Sequence, residues 1–264
     1  MNIEFKNKTV LITAGSKGIG FELAKQFLIE NANVCICSRN QKNLDTAQKT
    51  LLKFCDPKKL LIIKHDISNI KGHIKVIKKI RKKFKKDIDI LINNSGGPPP
   101  KEAIHANLTD WKKALNTNLL SAVSFSKIVI NNMKKNKWGR IINLTSTTAK
   151  EPAKNMVLSN VTRAALASFS KTLSLEVADY GITVNTILTG GCMTDRFLGL
   201  VKKNTKTKKE FKNNLKNIIS QTTMQRIAEP EEFVKLIIFL ASEYSSYING
   251  TAIAIDGGSS KSIF

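Results

Sequence analysis

Short apolar runs alternate along the whole chain with longer stretches in which apolar positions recur every three or four residues. The short runs cover residues 9–13, 33–38, 60–65, 88–93, 140–145, 183–188 and 251–255. Helical periodicity fills 18–30, 41–54, 70–85, 109–135, 158–179 and 230–242. Seven strands separated by helices predict an α/β fold, a doubly wound parallel sheet with helices on both faces. Right-handed crossovers bring the C-terminal ends of all strands to one edge, where ligands bind in such sheets. No linker, repeat or composition break divides the chain, so residues 1–264 are expected to form a single domain. Two stretches break the rhythm. Gly-Gly-Pro-Pro-Pro at 96–100 reads as a stiff loop after the fourth strand. The Lys-rich 194–225 is too long for a simple connection and is expected to be a substrate lid.

Composition leaves this picture intact. At 42% hydrophobic and 24% charged residues the chain is globular rather than low-complexity, and no apolar run is long enough for a membrane span. The first ten residues carry no apolar stretch before a small-residue cleavage site, so no signal peptide is expected. Cys35, Cys37, Cys55 and Cys192 lack metal-ligand spacing; they read as reduced thiols of a cytoplasmic protein without a metal site. The formal charge of +23 raises the question of a nucleic-acid partner. Only six of the 43 basic residues are Arg, however, which suggests a drift in amino-acid usage rather than a surface selected to grip phosphates. In the densest run, 71–86, Ile74, Ile77, Ile80 and Phe84 fall at helical spacing, so its lysines are expected on the wet face of an amphipathic helix. Specific nucleic-acid binding therefore rests on charge alone and is not expected.

Candidate chemistry starts at the end of the first strand, with Thr-Ala-Gly-Ser-Lys-Gly-Ile-Gly at 13–20. Glycines at 15, 18 and 20 permit a tight turn and close approach to a pyrophosphate, whose charge the following helix N-terminus meets. Gly15, Ser16, Lys17, Gly18, Ile19 and Gly20 are thus candidate dinucleotide-binding residues. The second strand ends without the carboxylate that an NAD ribose requires. Arg39 stands there instead, and with Lys17 it suits a 2′-phosphate, so NADP(H) is expected over NAD(H).

With these pieces in order the chain resembles the short-chain dehydrogenase/reductase family over nearly its full length. The resemblance rests on 13–20, His-Asp-Ile-Ser at 65–68, Asn-Asn-Ser-Gly at 93–96, Asn118 in Leu-Asn-Thr-Asn-Leu-Leu-Ser, Ile-Ile-Asn-Leu-Thr-Ser at 141–146, Gly-Ile-Thr-Val-Asn at 181–185 and Ile-Asp-Gly-Gly at 255–258. It implies a Rossmann-type sheet, a nicotinamide cofactor and usually a tetramer. By position it places Asp66 and Ile67 beside the adenine, Asn93 and Ser95 (with Gly96 following) near the adenosine ribose, and Thr194 at the nicotinamide amide. The helices at 109–135 and 158–179 would pair across a two-fold interface, giving a homodimer or homotetramer. Two departures are small: Ala14 replaces the first loop glycine, and Thr189-Gly190 replaces the usual Pro-Gly.

The third departure touches the chemistry. The family pattern uses Ser, Tyr and Lys; Ser146 matches the serine, but Ser159 and Arg163 stand at the other two positions, the Ser-Asn-x-x-Arg of a subgroup similar to 3-oxoacyl-carrier-protein reductases. Tyr180, Tyr244 and Tyr247, the whole supply, lie too far along the chain to substitute. A serine hydroxyl is far less acidic than a phenol, and a guanidinium stays protonated. The general acid is therefore open: Lys150, water held by Asn118 and Ser146, or His105, with Lys150 and His105 each also readable as plain surface residues. The expected function is NADP(H)-dependent reduction of a carbonyl, either a small molecule or an acyl-carrier-bound 3-oxo compound, or oxidation of the alcohol. The alternative is a nucleotide-binding regulatory or assembly protein of the same fold that has lost turnover.

Overall fold

The computed structural model describes residues 2–203 and 205–263. Its seven strands are β1 (Thr9–Thr13), β2 (Asn33–Ser38), β3 (Leu60–Lys64), β4 (Ile90–Asn93), β5 (Gly139–Leu144), β6 (Ile182–Thr189) and β7 (Ala252–Ile255). They form one parallel sheet in the order β3-β2-β1-β4-β5-β6-β7. The helices are α1 (Gly18–Ile29), α2 (Gln41–Leu51), α3 (His73–Phe84), α4 (Leu108–Leu115), α5 (Ser121–Lys135), α6 (Val157–Val177), α7 (Asp195–Lys203), α8 (Lys208–Ser220) and α9 (Pro230–Ala241).

The central strands are apolar on both sides because both faces are covered. Val10, Ile12, Val34 and Ile36 pack under α1, α2 and α9, whereas Leu11, Cys35 and Cys37 pack under α3, α5 and α6. Burial pushes the Cys37 thiol up to about 12, and Cys35 is raised likewise, so these thiols behave as core groups rather than nucleophiles. β4 begins two residues later than its apolar pattern implies: the Asp89 carboxylate accepts from the Thr9 amide (2.8 Å) where a ladder residue would stand.

Two helical expectations change in detail. On α3 the buried face is His73, Val76, Ile77 and Ile80, while Ile74 is 55% exposed. The face is turned by His73, whose ring stacks on Phe125 at 3.7 Å and is held by the Ser124 hydroxyl and the Ile67 carbonyl, both at 2.9 Å. A charged imidazolium is disfavoured there, and burial brings its pKa down to about 4. The continuous helix expected over 109–135 is instead α4 and α5 joined by a π turn at Asn116–Leu120, in which the Ser121 amide reaches back to the Asn116 carbonyl. Such turns recur at functional sites, and this one carries Asn118.

The 194–225 stretch holds α7 and α8. No residue of α8 is fully buried. Its base is closed by a bridge between Cys192 and Ala228, with the Met193 amide donating to the Ala228 carbonyl (2.8 Å). The segment thus leaves and rejoins the body at one place.

Candidate active site

A cleft of about 1220 Å³ runs along the C-terminal edge of the sheet, past the point between β1 and β4 where strand order reverses. One end is built by the β1–α1 turn and the tips of β2 and β3. Ala14, Ser16, Lys17, Gly18 and Ile19 line it, and Gly18 takes φ +54 with Thr194 only 3.0 Å from where a Cβ would stand. Gly15 and Gly20 lie buried beneath the turn, where they let Ile36 and Asn94 approach it closely. The Ser16 hydroxyl donates to Ser38 (2.9 Å), which fixes the turn against β2. Arg39, Asp66 and Ile67 complete this end. Burial alone would raise the Asp66 carboxyl, but the Ser68 amide and hydroxyl, with the field of Arg39, hold it below the usual carboxylate range. Lys17, at the start of α1, forms an exposed ion pair with Asp195 of α7 (2.7 Å).

The other end gathers side chains from four separate elements. Asn118 donates from its amide to the Ser95 hydroxyl (2.9 Å) and the Gly96 carbonyl (3.1 Å), leaving its Oδ1 buried with no hydrogen-bond partner among the described residues. Ser146, just beyond β5, accepts the Thr148 amide (3.2 Å), so its own hydroxyl proton remains free to donate. The Thr148 hydroxyl stands 3.4 Å from that of Ser159 on α6. One turn further on, Arg163 donates to the carbonyls of Leu144 (2.8 Å) and Ser95 (3.4 Å), with Nε buried and without a partner among the described residues. Burial, and then the charge of Arg196, brings the Arg163 guanidinium down to about 10, which keeps it a cation at neutral pH. Thr194, beside Gly18, stands between the two ends, its hydroxyl accepting from the Phe197 amide (3.2 Å).

The family model described as enoyl-(acyl carrier protein) reductase matches residues 13–260. The NADPH-dependent reductase BacG of Bacillus subtilis is 32% identical over 97% of this chain and 99% of its own length. The chain belongs to the short-chain dehydrogenase/reductase family. A 3-oxoacyl-[acyl-carrier-protein] reductase of Chlamydia trachomatis serovar D is also 32% identical, over 96% of this chain and 97% of its own length. Among solved structures, L-sorbose reductase from Gluconobacter frateurii, complexed with NADPH and L-sorbose, superposes with a TM-score of 0.94 at 30% identity, covering both chains completely. The sheet is thus the Rossmann-type arrangement of this reductase family.

Within that family frame, three expected site residues lie elsewhere. Asn93 does not line the cleft: it is 4% exposed and donates to Asn143 (2.8 Å) and Ser126 (3.3 Å) inside the sheet. Its side chain follows the strand alternation inward, and the next residue, Asn94, takes the cleft position and holds the Ala14 carbonyl (3.3 Å). Lys150, half-buried at the end of the short turn after Ser146, is absent from the cleft wall, because that turn carries it past the opening. His105 is exposed and pairs with Glu102 at 3.1 Å, also away from the cleft. Sequence reasoning missed Arg196, Thr148 and Asn94. Asn94 was readable from its place beside Asn93; Arg196 had no signal except being one of six arginines in a lysine-rich chain.

Proposed function

We propose that the protein is an NADP(H)-dependent oxidoreductase that reduces a carbonyl compound at the Ser146 end of the cleft. One observation carries the reading: Ser146, Asn118, Ser159 and Arg163, from three elements, converge at one end of a cleft whose other end is a glycine turn flanked by Arg39. A nicotinamide dinucleotide fits the residues present. Gly18 leaves a cradle that a side chain would fill, and Asn118 Oδ1 and Arg163 Nε are buried polar atoms still wanting partners. Gly18, Ile19, Asp66, Ile67, Ser95 and Thr194 would hold it, with Arg39 and Lys17 toward a 2′-phosphate. When bound, it supplies the hydride.

The chain's own residues do the rest. Ser146 donates its free hydroxyl proton as a hydrogen bond to the substrate carbonyl oxygen. Arg163, a fixed cation held by two carbonyls, stabilises negative charge on that oxygen without giving up a proton. The proton that completes the alcohol comes from water bound at Asn118 Oδ1 and passes through Ser146. Ser159, tied to Thr148, shapes the wall on which the substrate rests. The apolar side chains of Leu120, Val161 and Leu175, left 40–71% exposed on the π turn and α6, support pairing of these elements in a homodimer or homotetramer.

The test is NADPH oxidation, followed by loss of nucleotide absorbance, against a panel of aldehydes, ketones and 3-oxoacyl thioesters. NADPH is expected to bind at least tenfold more tightly than NADH, and Arg39→Asp to flatten that preference. Equal affinities in the unaltered protein would refute the NADP(H) assignment. A complete lack of turnover across the panel would favour the non-catalytic binder.

A further inference from the structure

Arg196 is the second residue of α7, and its guanidinium lies against the backbone of the Gly-Gly-Pro-Pro-Pro loop. A Cβ at Gly97 would stand 2.6 Å from one of its nitrogens, and that same nitrogen donates to the Pro98 carbonyl (3.4 Å). The otherwise unexplained glycine of this loop is thus the bed of an arginine, and the flanking prolines keep the bed stiff. Arg196 is exposed and lines the cleft together with Arg163, whose guanidinium is held below the usual arginine value by burial and then by the charge of Arg196.

This is an unfavourable place for a cation. The N-terminus of a helix carries partial positive charge, and a second guanidinium is close enough for its field to be felt. No carboxylate offsets them among the described residues. The acidic groups lining the cleft are engaged elsewhere: Asp195 by Lys17, Glu22 by Lys25, Asp110 by Lys101 and Asp66 by Ser68. Asp195 adjoins Arg196 in the chain and still turns to Lys17. Two guanidiniums facing one space without a counter-charge describe a site whose anion is brought by the ligand.

We propose that the carbonyl substrate bears an oxyanion group, a carboxylate or a phosphate, and that Arg196 binds it as a specificity-determining residue, with Arg163 adding to the field. The inference rests on the reductase reading and names its substrate class. Met156, Leu158, Phe197 and Leu200 line the same cleft and provide apolar surface for the remainder of such a molecule.

The test titrates the NADP⁺-bound protein with phenylglyoxylate and with its methyl ester, and in a second arm with dihydroxyacetone phosphate and dihydroxyacetone. One anion of the two pairs is expected to bind at least tenfold more tightly than its uncharged partner, and the pair that discriminates identifies carboxylate or phosphate. Arg196→Gln is expected to raise that anion's Kd at least tenfold, with the uncharged partner and NADP⁺ changed less than twofold; Arg196→Lys restores part of the loss. In turnover the Arg196→Gln effect falls on KM, not on kcat. Equal binding of acid and ester together with equal binding of phosphate and alcohol overturns the proposal, as does failure of all four to bind. NADP⁺ affinity falling as far as anion affinity in Arg196→Gln overturns it too, since Arg196 then belongs to the nucleotide site. Turnover of a neutral ketone or 3-oxoacyl thioester unaltered by Arg196→Gln, with no anion bound, overturns the inference and leaves the reductase reading standing. Failure of NADP⁺ to bind at all breaks the reductase reading instead, and titration of the same probes into nucleotide-free protein still reports on Arg196.

Discussion

The two ends of the cleft are made differently. The nucleotide end is a local object: one turn between β1 and α1, capped by the first residues after β2 and β3, with geometry set mainly by backbone. The other end, proposed above as the catalytic one, is assembled from the loop after β4, the π turn before α5, the segment after β5, α6 and α7, with about a hundred residues separating Ser95 from Arg196. A local object can be read from consecutive residues. An assembled one depends on which side chains the packing turns inward, and three neighbouring residues there, Lys150, Asn93 and His105, are turned away.

The sharpest way to break this comparison is to remove the hydroxyl at the assembled end. Ser146→Ala is expected to lower kcat by on the order of 10²-fold, because one preorganised donor to the developing oxyanion and one relay step are lost. NADPH affinity should stay within about twofold, since Ser146 contributes nothing to the β1–α1 turn. Steady-state kinetics beside nucleotide titration decide it. Turnover unaffected by the substitution would remove Ser146 from the mechanism.

Acid should loosen the nucleotide end first. His73 holds the Ile67 carbonyl on the cleft wall, and its folded-state pKa, about 4, lies below the ordinary histidine value of 6.5. The depressed value means that the unfolded chain binds the proton more readily. Stability is therefore full above about pH 6.5 and is lost as pH falls from there through 4, by about 3 kcal/mol in total. Denaturant melts between pH 7 and 4 should show that loss, and His73→Gln should flatten it. An unchanged pH profile in the variant would reassign the acid sensitivity to other groups.

The smallest effect sharpens the picture of the turn itself. Ala14 sits at φ +47, in the left-handed region that favours glycine. Its Cβ is strained there by about 1 kcal/mol, so the departure from a glycine at this position carries a conformational cost. Ala14→Gly should raise stability by up to about that amount, the gain reduced by glycine's greater freedom in the unfolded chain. Thermal or denaturant unfolding measures it, with nucleotide affinity unchanged or improved. Destabilisation would mean that unfolded-chain entropy outweighs the strain.

The sequence by itself determined the number of strands, the parallel doubly wound sheet and the glycine turn after the first strand. These follow from apolar runs bounded by turn residues and from a short glycine pattern, both of which act over a few consecutive positions. Through the family resemblance it also put forward Asn118, Ser146, Ser159, Arg163 and Lys150 as candidates, of which all but Lys150 line the cleft. Only the tertiary structure decided the rest. Helix α3 turned its apolar face to bury His73 because a stacking partner and two hydrogen-bond partners stood ready in α5 and after β3. The helix expected over 109–135 widened into a π turn at Asn118. Arg196, inconspicuous in a basic segment, came to rest on Gly97 some hundred residues earlier and brought its charge to the cleft that Arg163 also lines. Periodicity tells which residues leave water, but side-chain direction and charge balance depend on neighbours distant in sequence, and these come together only when the chain has folded.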